Sequence, residues 1–247
     1  MKPTLFRYTF ALPLWVTAIC LFSLNVDTAL AESLQAVTTI SNGAYKPHGV
    51  VIQPVQFAGK DAIAVELAPD VQQRILSGDV GASNGPTYAI ADIPFQDGVI
   101  ELDIAAEING KGQADARGFV GIAFHVNENP DTYEAVYLRM TNGTLNQPPP
   151  PAPRDKRAVQ YVAHPNFHFN VSRQETPGKY EKAAPVALGR WYHLRLAIKG
   201  ADLRASVDGI EVLHVTDLKY AGRSGRVGLW VDDGTRGYFR NLQVSSH

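Results

Sequence analysis

The fold is decided by one stretch, Gly118-Phe-Val-Gly-Ile-Ala-Phe-His-Val-Asn-Glu-Asn-Pro-Asp-Thr-Tyr-Glu-Ala-Val-Tyr-Leu-Arg-Met-Thr-Asn-Gly143. Its apolar residues occupy alternate positions in two arms, which is the period of a β-strand. A polar segment that contains Pro130, residues 127–131, separates the arms and predicts a turn. We therefore predict a β-hairpin, whose core face carries Val120, Ile122, Phe124, Val126, Val136, Leu138 and Met140.

The opposite face of this hairpin differs from an ordinary solvated face. It combines small residues with one histidine, two tyrosines and one arginine: Gly121, Ala123, Ala135, His125, Tyr133, Tyr137 and Arg139. Small side chains leave space above a sheet, and the polar groups among them can hold a ligand. This face is predicted to form the floor of a groove.

The first 31 residues have the pattern of a secretory signal peptide. Lys2 and Arg7 precede an apolar run from Phe10 to Leu24, and Ala29-Leu30-Ala31 is a small-x-small cleavage site. The apolar run contains Pro13 and is short for a membrane span of about 20 residues, so a membrane anchor is the less favoured alternative. We expect a periplasmic or secreted protein with no membrane attachment after cleavage.

The composition of the remaining chain narrows its partners. Cleavage leaves 216 of the 247 residues and a net charge of about −2, because two of the 23 basic and one of the 24 acidic residues lie in the leader. Without a basic excess, nucleic acid and anionic membranes are poor candidates as partners. The single cysteine, Cys20, lies in the leader, so we expect no disulfide and no thiolate metal site in the mature chain.

Residues 32–247 are predicted to form a single all-β domain. About ten or more short segments have strand patterning and one segment, 69–76, is a candidate helix, which predicts a two-sheet antiparallel jelly-roll sandwich. Residues 144–157 include four consecutive prolines and are predicted to form a Pro-rich loop, because such a run cannot be a central strand. Residues 166–185 are expected to be irregular.

Several segments together resemble a known superfamily. They are Asp97-Gly-Val-Ile-Glu-Leu-Asp103, Arg117-Gly-Phe-Val-Gly-Ile-Ala-Phe124, Tyr133-Glu-Ala-Val-Tyr-Leu-Arg139, Gln160-Tyr-Val-Ala-His-Pro165 and Gly225-Arg-Val-Gly-Leu-Trp-Val231. Across residues 45–245 the chain resembles the concanavalin A-like lectin/glucanase superfamily, and most nearly bacterial secreted laminin-G-like and 3-keto-disaccharide hydrolase type domains. The resemblance implies two curved antiparallel sheets with a glycan on the concave face. It implies no single reaction, because the superfamily includes binding modules, glycosidases, lyases and structural domains.

Glu101 and Asp103 are the first candidates for acid/base catalysis. Consecutive strands are often neighbours, so we expect these acids to share one sheet face with His125 and Arg139. Glu107 lies about 20 Å from Glu101 at a rise of about 3.3 Å per residue, whereas the paired carboxylates of glycosidases lie about 5–9.5 Å apart. This spacing excludes the glucanase dyad. Glu101 with Asp103, at about 7 Å, can still act as an acid/base pair or hold a cation, and a solvated face paired with Arg139 is the alternative.

The hairpin supplies the next candidates. His125 is the candidate general base, with an ordinary exposed histidine as the alternative. Tyr137, Arg139 and Asn142 offer an aromatic ring, a guanidinium and an amide, which suit a polyol or an acidic sugar. The alternative for these three is pairing across strands.

Later strands extend the predicted polar surface. Gln160 and His164 follow the Pro-rich loop and are expected to continue it. Trp230 lies opposite the core residues of its strand and either stacks on a sugar ring or packs under the Pro-rich loop. The segment Asp232-Asp233-Gly234 is either a turn or part of a Ca²⁺ site, for which loop carboxylates are typical, and no other cofactor is indicated.

Two functions follow from these observations. The favoured one is a secreted, glycan-directed jelly-roll protein that binds a saccharide or polysaccharide on its concave sheet face. Cleavage of that glycan, by hydrolysis or by elimination of a keto-sugar, is a further step that the sequence leaves open. The alternative is a non-catalytic adhesion or assembly module that binds a protein partner through its sheet face and the Pro-rich loop.

Overall fold

The structure is a computed structural model that describes residues 1, 37–39, 45–79, 82 and 85–246. The chain divides into two units, Met1–Leu34 and Gln35–His247, and every described residue except Met1 belongs to the second. The predicted signal peptide at 1–31 lies outside the described residues, apart from Met1. None of the helices in the described segments is long and apolar enough to cross a membrane.

Strands dominate the second unit. In chain order they are β1 (Val37–Thr39), β2 (Tyr45–His48), β3 (Val50–Phe57), β4 (Lys60–Leu67), β5 (Tyr88–Phe95), β6 (Gly98–Ile108), β7 (Phe119–Val126), β8 (Tyr133–Arg139), β9 (Val159–His164), β10 (Glu181–Lys182), β11 (Tyr192–Lys199), β12 (Asp202–Val207), β13 (Ile210–Val215), β14 (Gly225–Val231) and β15 (Thr235–Ser246). The described helices are α1 (Pro69–Leu76), α2 (Phe169–Glu175) and two 3₁₀ turns, Met140–Asn142 and Arg154–Lys156.

The strands form two antiparallel sheets. The first sheet has the order β13-β12-β11-β6-β15-β4-β3, with β1 paired to β15, and the second has the order β10-β9-β8-β7-β14-β5-β2. Apolar residues on alternate positions of both sheets, such as Ile100, Leu102 and Leu138, meet in one main core. This architecture confirms the predicted two-sheet jelly-roll sandwich.

The predicted hairpin consists of β7 and β8. Val120 pairs with Leu138 and Ile122 pairs with Val136, and all four side chains lie in the main core. Tyr137 and the other tyrosine of β8 lie on the opposite face, in a separate apolar cluster. The two faces of the hairpin were therefore predicted correctly by alternation.

Val126 is the exception to that alternation. It was expected in the main core but lies in the cluster on the opposite face. The register between β7 and β14 shifts between Arg226 and Gly228, which pair with Val126 and Ala123. One extra residue in β7, next to His125 with its φ of +51°, reverses the side to which the following side chain points.

The segments outside the strands met the predictions in part. Helix α1 has the predicted bounds and begins with Pro69, whose missing N–H costs nothing in the first turn. The Pro-rich loop at 144–157 contains no strand and ends in the turn Arg154–Lys156. The expectation that residues 166–185 are irregular was wrong at two places, where Phe169–Glu175 forms α2 and Glu181–Lys182 forms β10.

Candidate arginine pocket

A pocket of about 300 Å³ lies on the face of the second sheet that points away from the main core. Tyr137 and Arg139 on β8 form its floor, because they alternate with the core residues Val136 and Leu138. The residues that line it are five arginines (Arg117, Arg139, Arg154, Arg157, Arg173), three aspartates (Asp115, Asp232, Asp233), three aromatic residues (Phe119, Tyr137, Phe169) and two amides (Gln113, Asn142). The volume is at the lower end of the range for small-molecule sites, about 300–1,000 Å³. We call this site the arginine pocket.

The aromatic floor of the arginine pocket is rigid. The ring of Tyr137 stacks on Trp230 with centroids 4.5 Å apart and planes at 28°, and Phe119 meets it edge-on at 6.2 Å. Trp230 is only 3% exposed and is not part of the lining. The indole therefore supports Tyr137, which is itself only 4% exposed and is the ring of this pair that lines the arginine pocket.

Arg139 is a buried cation held in one position. Its Nη2 donates to the Tyr137 hydroxyl at 2.9 Å, and both terminal nitrogens reach Gln160 Oε1 at 3.4 Å. Gln160 is itself fixed, because its Nε2 donates to the carbonyl oxygens of Tyr161 and Tyr180. Burial lowers the pKa of Arg139, although a guanidinium stays protonated in proteins. Gln160 thus positions the cation.

Glu181 gathers three of the arginines on one carboxylate. Arg173 donates to it through Nε at 2.9 Å and Nη2 at 2.6 Å, Arg157 Nε lies 3.1 Å away, and Arg139 Nη1 lies 3.9 Å away. Glu181 is only 5% exposed. The single negative charge of Glu181 is therefore shared by three arginines, and this wall of the arginine pocket keeps a net positive charge.

Asp232 is the most perturbed acid in the arginine pocket. It follows β14, is 8% exposed, and accepts one hydrogen bond at Oδ1, from the backbone N–H of Asp233 at 2.8 Å. Its other oxygen accepts none from the described residues. Burial raises the pKa of Asp232 to about 7, an effect that the backbone N–H of Asp233 and the charge of Arg139 oppose and that the Asp233 carboxylate reinforces. A carboxyl group with this pKa can accept and release a proton near neutral pH.

Asp233, in contrast, is a structural carboxylate. It accepts a hydrogen bond from Gln72 Nε2 at 2.7 Å and from the backbone N–H of Gln113 at 3.1 Å. Gln72 also accepts from the backbone N–H of Gly234 at 3.1 Å. Helix α1 and the loop after β6 thereby fix the turn that carries Asp232.

The end of the Pro-rich loop forms another wall. Arg154 Nε donates to Asn142 Oδ1 at 2.9 Å and its Nη2 donates to Thr141 Oγ1 at 3.1 Å, while Asn142 Nδ2 donates to the carbonyl oxygen of Arg157 at 3.0 Å. The loop is thus joined to the end of β8. Asn142, proposed from the sequence as a ligand-binding residue, lines the arginine pocket and also holds the loop.

The predicted positions of Glu101 and Asp103 were wrong. Strand β6 pairs with β11 and β15 in the first sheet, so the chain crosses between the two sheets before β7. Because Ile100 and Leu102 face the core, both acids point to the opposite surface of the first sheet. There Asp103 lies 3.2 Å from His193 Nδ1, and Glu101 lies 3.5 Å from an arginine of β11, Arg195. Neither acid shares a face with Arg139.

His125 also differs from its expected position. It is 1% exposed, with Nδ1 2.6 Å from Glu134 Oε2 and Nε2 2.7 Å from the carbonyl oxygen of Gln96. The buried Glu134 also accepts from the Tyr161 hydroxyl and from the backbone N–H of Tyr220. Both ring nitrogens are engaged in the protein interior, away from the arginine pocket, which argues for a structural role.

His164 and the proposed Ca²⁺ site complete the predicted set. His164 stacks on Tyr133 with centroids 5.2 Å apart, and its Nδ1 lies 2.8 Å from His168 Nε2. Burial and the proximity of His164 lower the pKa of His168 to about 4. Within the described residues, no group of three or more His, Cys, Asp or Glu side chains could hold a metal ion.

Comparison with known proteins identifies the family. A profile described as the 3-keto-alpha-glucoside-1,2-lyase-like domain matches residues 56–245. The chain belongs to this family. The predicted resemblance to 3-keto-disaccharide hydrolase type domains is thereby confirmed, and with it the general class of jelly-roll domains that bind or process glycosides.

Two solved structures are similar to this chain, and the first of them shares its fold. The carbohydrate-binding module CBM66 from Bacillus subtilis is 14% identical, with a TM-score of 0.50, over 85% of this chain and 96% of that chain. A protein with a galectin-like fold from Bacillus subtilis is 11% identical, with a TM-score of 0.48, over 85% of this chain and 98% of the other. No protein with a curated description matches the sequence.

Proposed function

We propose that the protein binds a 3-keto-glycoside in the arginine pocket and cleaves its glycosidic bond by elimination. The observation that carries the proposal is the buried Asp232, whose pKa of about 7 suits a general base, beside the fixed cation Arg139 and the aromatic ring of Tyr137. The family description, which names a lyase acting across carbons 1 and 2 of a 3-keto-α-glucoside, supports the same chemistry.

The chemistry requires only a base and a cationic site. A ketone at carbon 3 makes the hydrogen on carbon 2 acidic, and Asp232 takes that proton as the carbon–hydrogen bond breaks. The negative charge that develops on the ketone oxygen is stabilised by Arg139, whose guanidinium is already oriented by Gln160 and Glu181. The bond from carbon 1 to the leaving oxygen then breaks, a double bond forms between carbons 1 and 2, and water protonates the departing alkoxide.

The remaining pocket residues place the sugar. The small exposed part of the Tyr137 ring offers the sugar an apolar contact, because the rest of the ring packs against Trp230 and Phe119. Phe169 on α2 lies near two cations, 5.7 Å from the Arg139 guanidinium and 4.8 Å from that of Arg173. These contacts hold α2 against the arginine pocket and define its width.

The test is the cleavage of a 3-keto-glycoside compared with its unoxidised parent glycoside. We expect an unsaturated keto-sugar and free alcohol from the first and no product from the second. Asp232→Asn is expected to lower kcat by about 10²–10⁴-fold, the usual contribution of a general base. Asp103→Asn, on the other sheet, is the matched control and is expected to retain activity.

Two results would contradict this proposal in different ways. An unimpaired Asp232→Asn variant would remove the base from the mechanism. If the protein bound saccharides but cleaved no keto-glycoside, its function would be that of a non-catalytic binding module. Export through a signal peptide at 1–31 is part of the proposal, and the size of the mature chain after expression with its leader tests it.

A further inference from the structure

Arg154 is a pocket-lining cation that forms no ion pair with any acid of the described residues. Asn142 and Thr141 fix its guanidinium through neutral oxygens, at 2.9 and 3.1 Å. Among the described residues, no carboxylate lies within ion-pair distance of it. The Pro-rich loop therefore brings to the wall of the arginine pocket a positioned cation that is not in an ion pair with any described residue.

A second cation is close to the first. Arg117 also lines the arginine pocket. Burial and the charge of Arg117 lower the pKa of Arg154, and the charge of Asp115 opposes this shift. The only carboxylate paired with Arg117 among the described residues is Asp115, at 3.6 Å, and its side chain is 75% exposed. Two guanidinium groups held near each other repel, and solvent screens the one acid beside them. An anion between them would offset this repulsion.

We propose that the arginine pocket selects saccharides that carry an anionic group, a carboxylate or a sulfate ester, and that Arg154 and Arg117 bind this group. Guanidinium forks match both oxyanions with paired hydrogen bonds. The far wall reinforces the selection, because Arg157 and Arg173 share Glu181 with a third arginine. The inference rests on the proposed function for the presence of a saccharide in this pocket, and it assigns the Pro-rich loop a role in ligand binding.

Calorimetric titration of the protein with matched glycosides tests the selection. The probes are methyl α-glucoside, its 6-carboxylate analogue methyl α-glucuronide, and methyl α-glucoside 6-sulfate, each at low and high salt. Hydrogen bonds to a charged group contribute enough to change affinity by about 10- to 100-fold. We expect at least one anionic probe to bind that much more tightly than the neutral one, with a preference that falls as salt rises. A preference for the glucuronide or for the sulfate ester shows which of the two anionic groups the arginine pocket recognises.

Two variants assign the preference to residues. Arg154→Gln and Arg117→Gln are each expected to lose most of the difference between anionic and neutral probes. Arg204→Gln is the control, because Arg204 on β12 pairs with Glu211 on the surface and should keep the full difference. Equal binding of neutral and anionic probes, or a preference that survives in both variants, overturns the inference.

The outcome is separable from that of the proposed function. Asp232-dependent cleavage that is equally fast for neutral and anionic 3-keto-glycosides supports the elimination and overturns the selection. Binding of an anionic probe that depends on Arg154, without cleavage of any keto-glycoside, supports the selection and overturns the elimination.

Discussion

Replacement of Asp232 by asparagine should stabilise the protein while it lowers the kcat of the proposed elimination by about 10²–10⁴-fold. The folded state raises the pKa of this carboxyl from 3.8 to about 7. Below about pH 4 both the folded and the unfolded chain carry the proton, so the contribution of protonated Asp232 to stability is present in full. Between pH 4 and 7 the unfolded chain loses the proton first, and the free energy of unfolding declines. At 1.36 kcal/mol per unit of pKa, the decline is about 4 kcal/mol above pH 7.

Asparagine keeps the shape of the side chain, can accept the same hydrogen bond from Asp233, and does not ionise. Urea unfolding of both proteins between pH 4 and 9 measures the effect. The Asp232→Asn variant should be about 4 kcal/mol more stable than the native protein above pH 7, from the same pKa difference, and nearly equal to it at pH 4. Asp92→Asn is the control, because Asp92 pairs with Arg226 on the surface and should give a difference that is small at every pH. A difference for Asp232→Asn that does not change with pH would refute the reasoning, even if the variant were inactive.

Three further substitutions separate structural from functional roles. His125→Ala should lower the free energy of unfolding by about 1–3 kcal/mol, because the buried Glu134 carboxylate loses its contact with His125 and keeps those with Tyr161 and Tyr220. The substitution should leave kcat of the folded protein unchanged, and a loss of kcat at unchanged stability would restore His125 as a catalytic candidate. Tyr137→Phe keeps the stack on Trp230 but removes the hydroxyl oxygen that accepts a hydrogen bond from Arg139. We therefore expect about 10-fold weaker saccharide binding in calorimetry. Unchanged affinity would exclude that oxygen from the binding site. Gly121→Ala would place a Cβ 2.3 Å from the carbonyl oxygen of Val136 and 2.5 Å from Tyr137 Cα. The substitution should therefore lower the free energy of unfolding by about 1–3 kcal/mol and displace the pocket floor. Wild-type stability in urea would contradict this close approach of β7 and β8.

The hairpin was predictable because its information is local. Alternation along β7 and β8 requires only the two-residue period of a strand, and it placed Leu138 in the core and Tyr137 on the other face. The same rule failed for Val126, because β7 has one residue more than its partner strand β14 at this point, and the pairing register shifts there. A bulge is a property of the pair of strands, so the sequence of β7 alone does not reveal it.

The site was less predictable because its residues meet through the topology. The neighbours of β6 in the sheet are β11 and β15, which follow it in the chain by about 90 residues or more. The assumption that consecutive strands are neighbours therefore assigned Glu101 to the wrong sheet. The cations of the arginine pocket were missed for the same reason: Arg117, Arg154, Arg157 and Arg173 come from separate loops and from α2. One signal was present, since the doubled acid at Asp232 directly follows a strand whose Trp230 faces away from the core. Strand ends that carry charged pairs are therefore informative even when their partners are unknown.

In the arginine pocket, the residues proposed for catalysis and those proposed for selectivity lie on different kinds of structural element. Arg139 is carried by β8 and Asp232 by the turn after β14, and that turn is held closely, because a Cβ on Gly112 would lie 2.2 Å from Gly234 Cα. Rigid supports of this kind keep a base and a cation in fixed geometry. Arg154 and Arg117, in contrast, belong to connecting segments, which tolerate change in sequence and length. Under the proposed function, substitutions in these segments should therefore change the group that the arginine pocket selects, while Asp232 and Arg139 on their fixed supports should still carry the elimination.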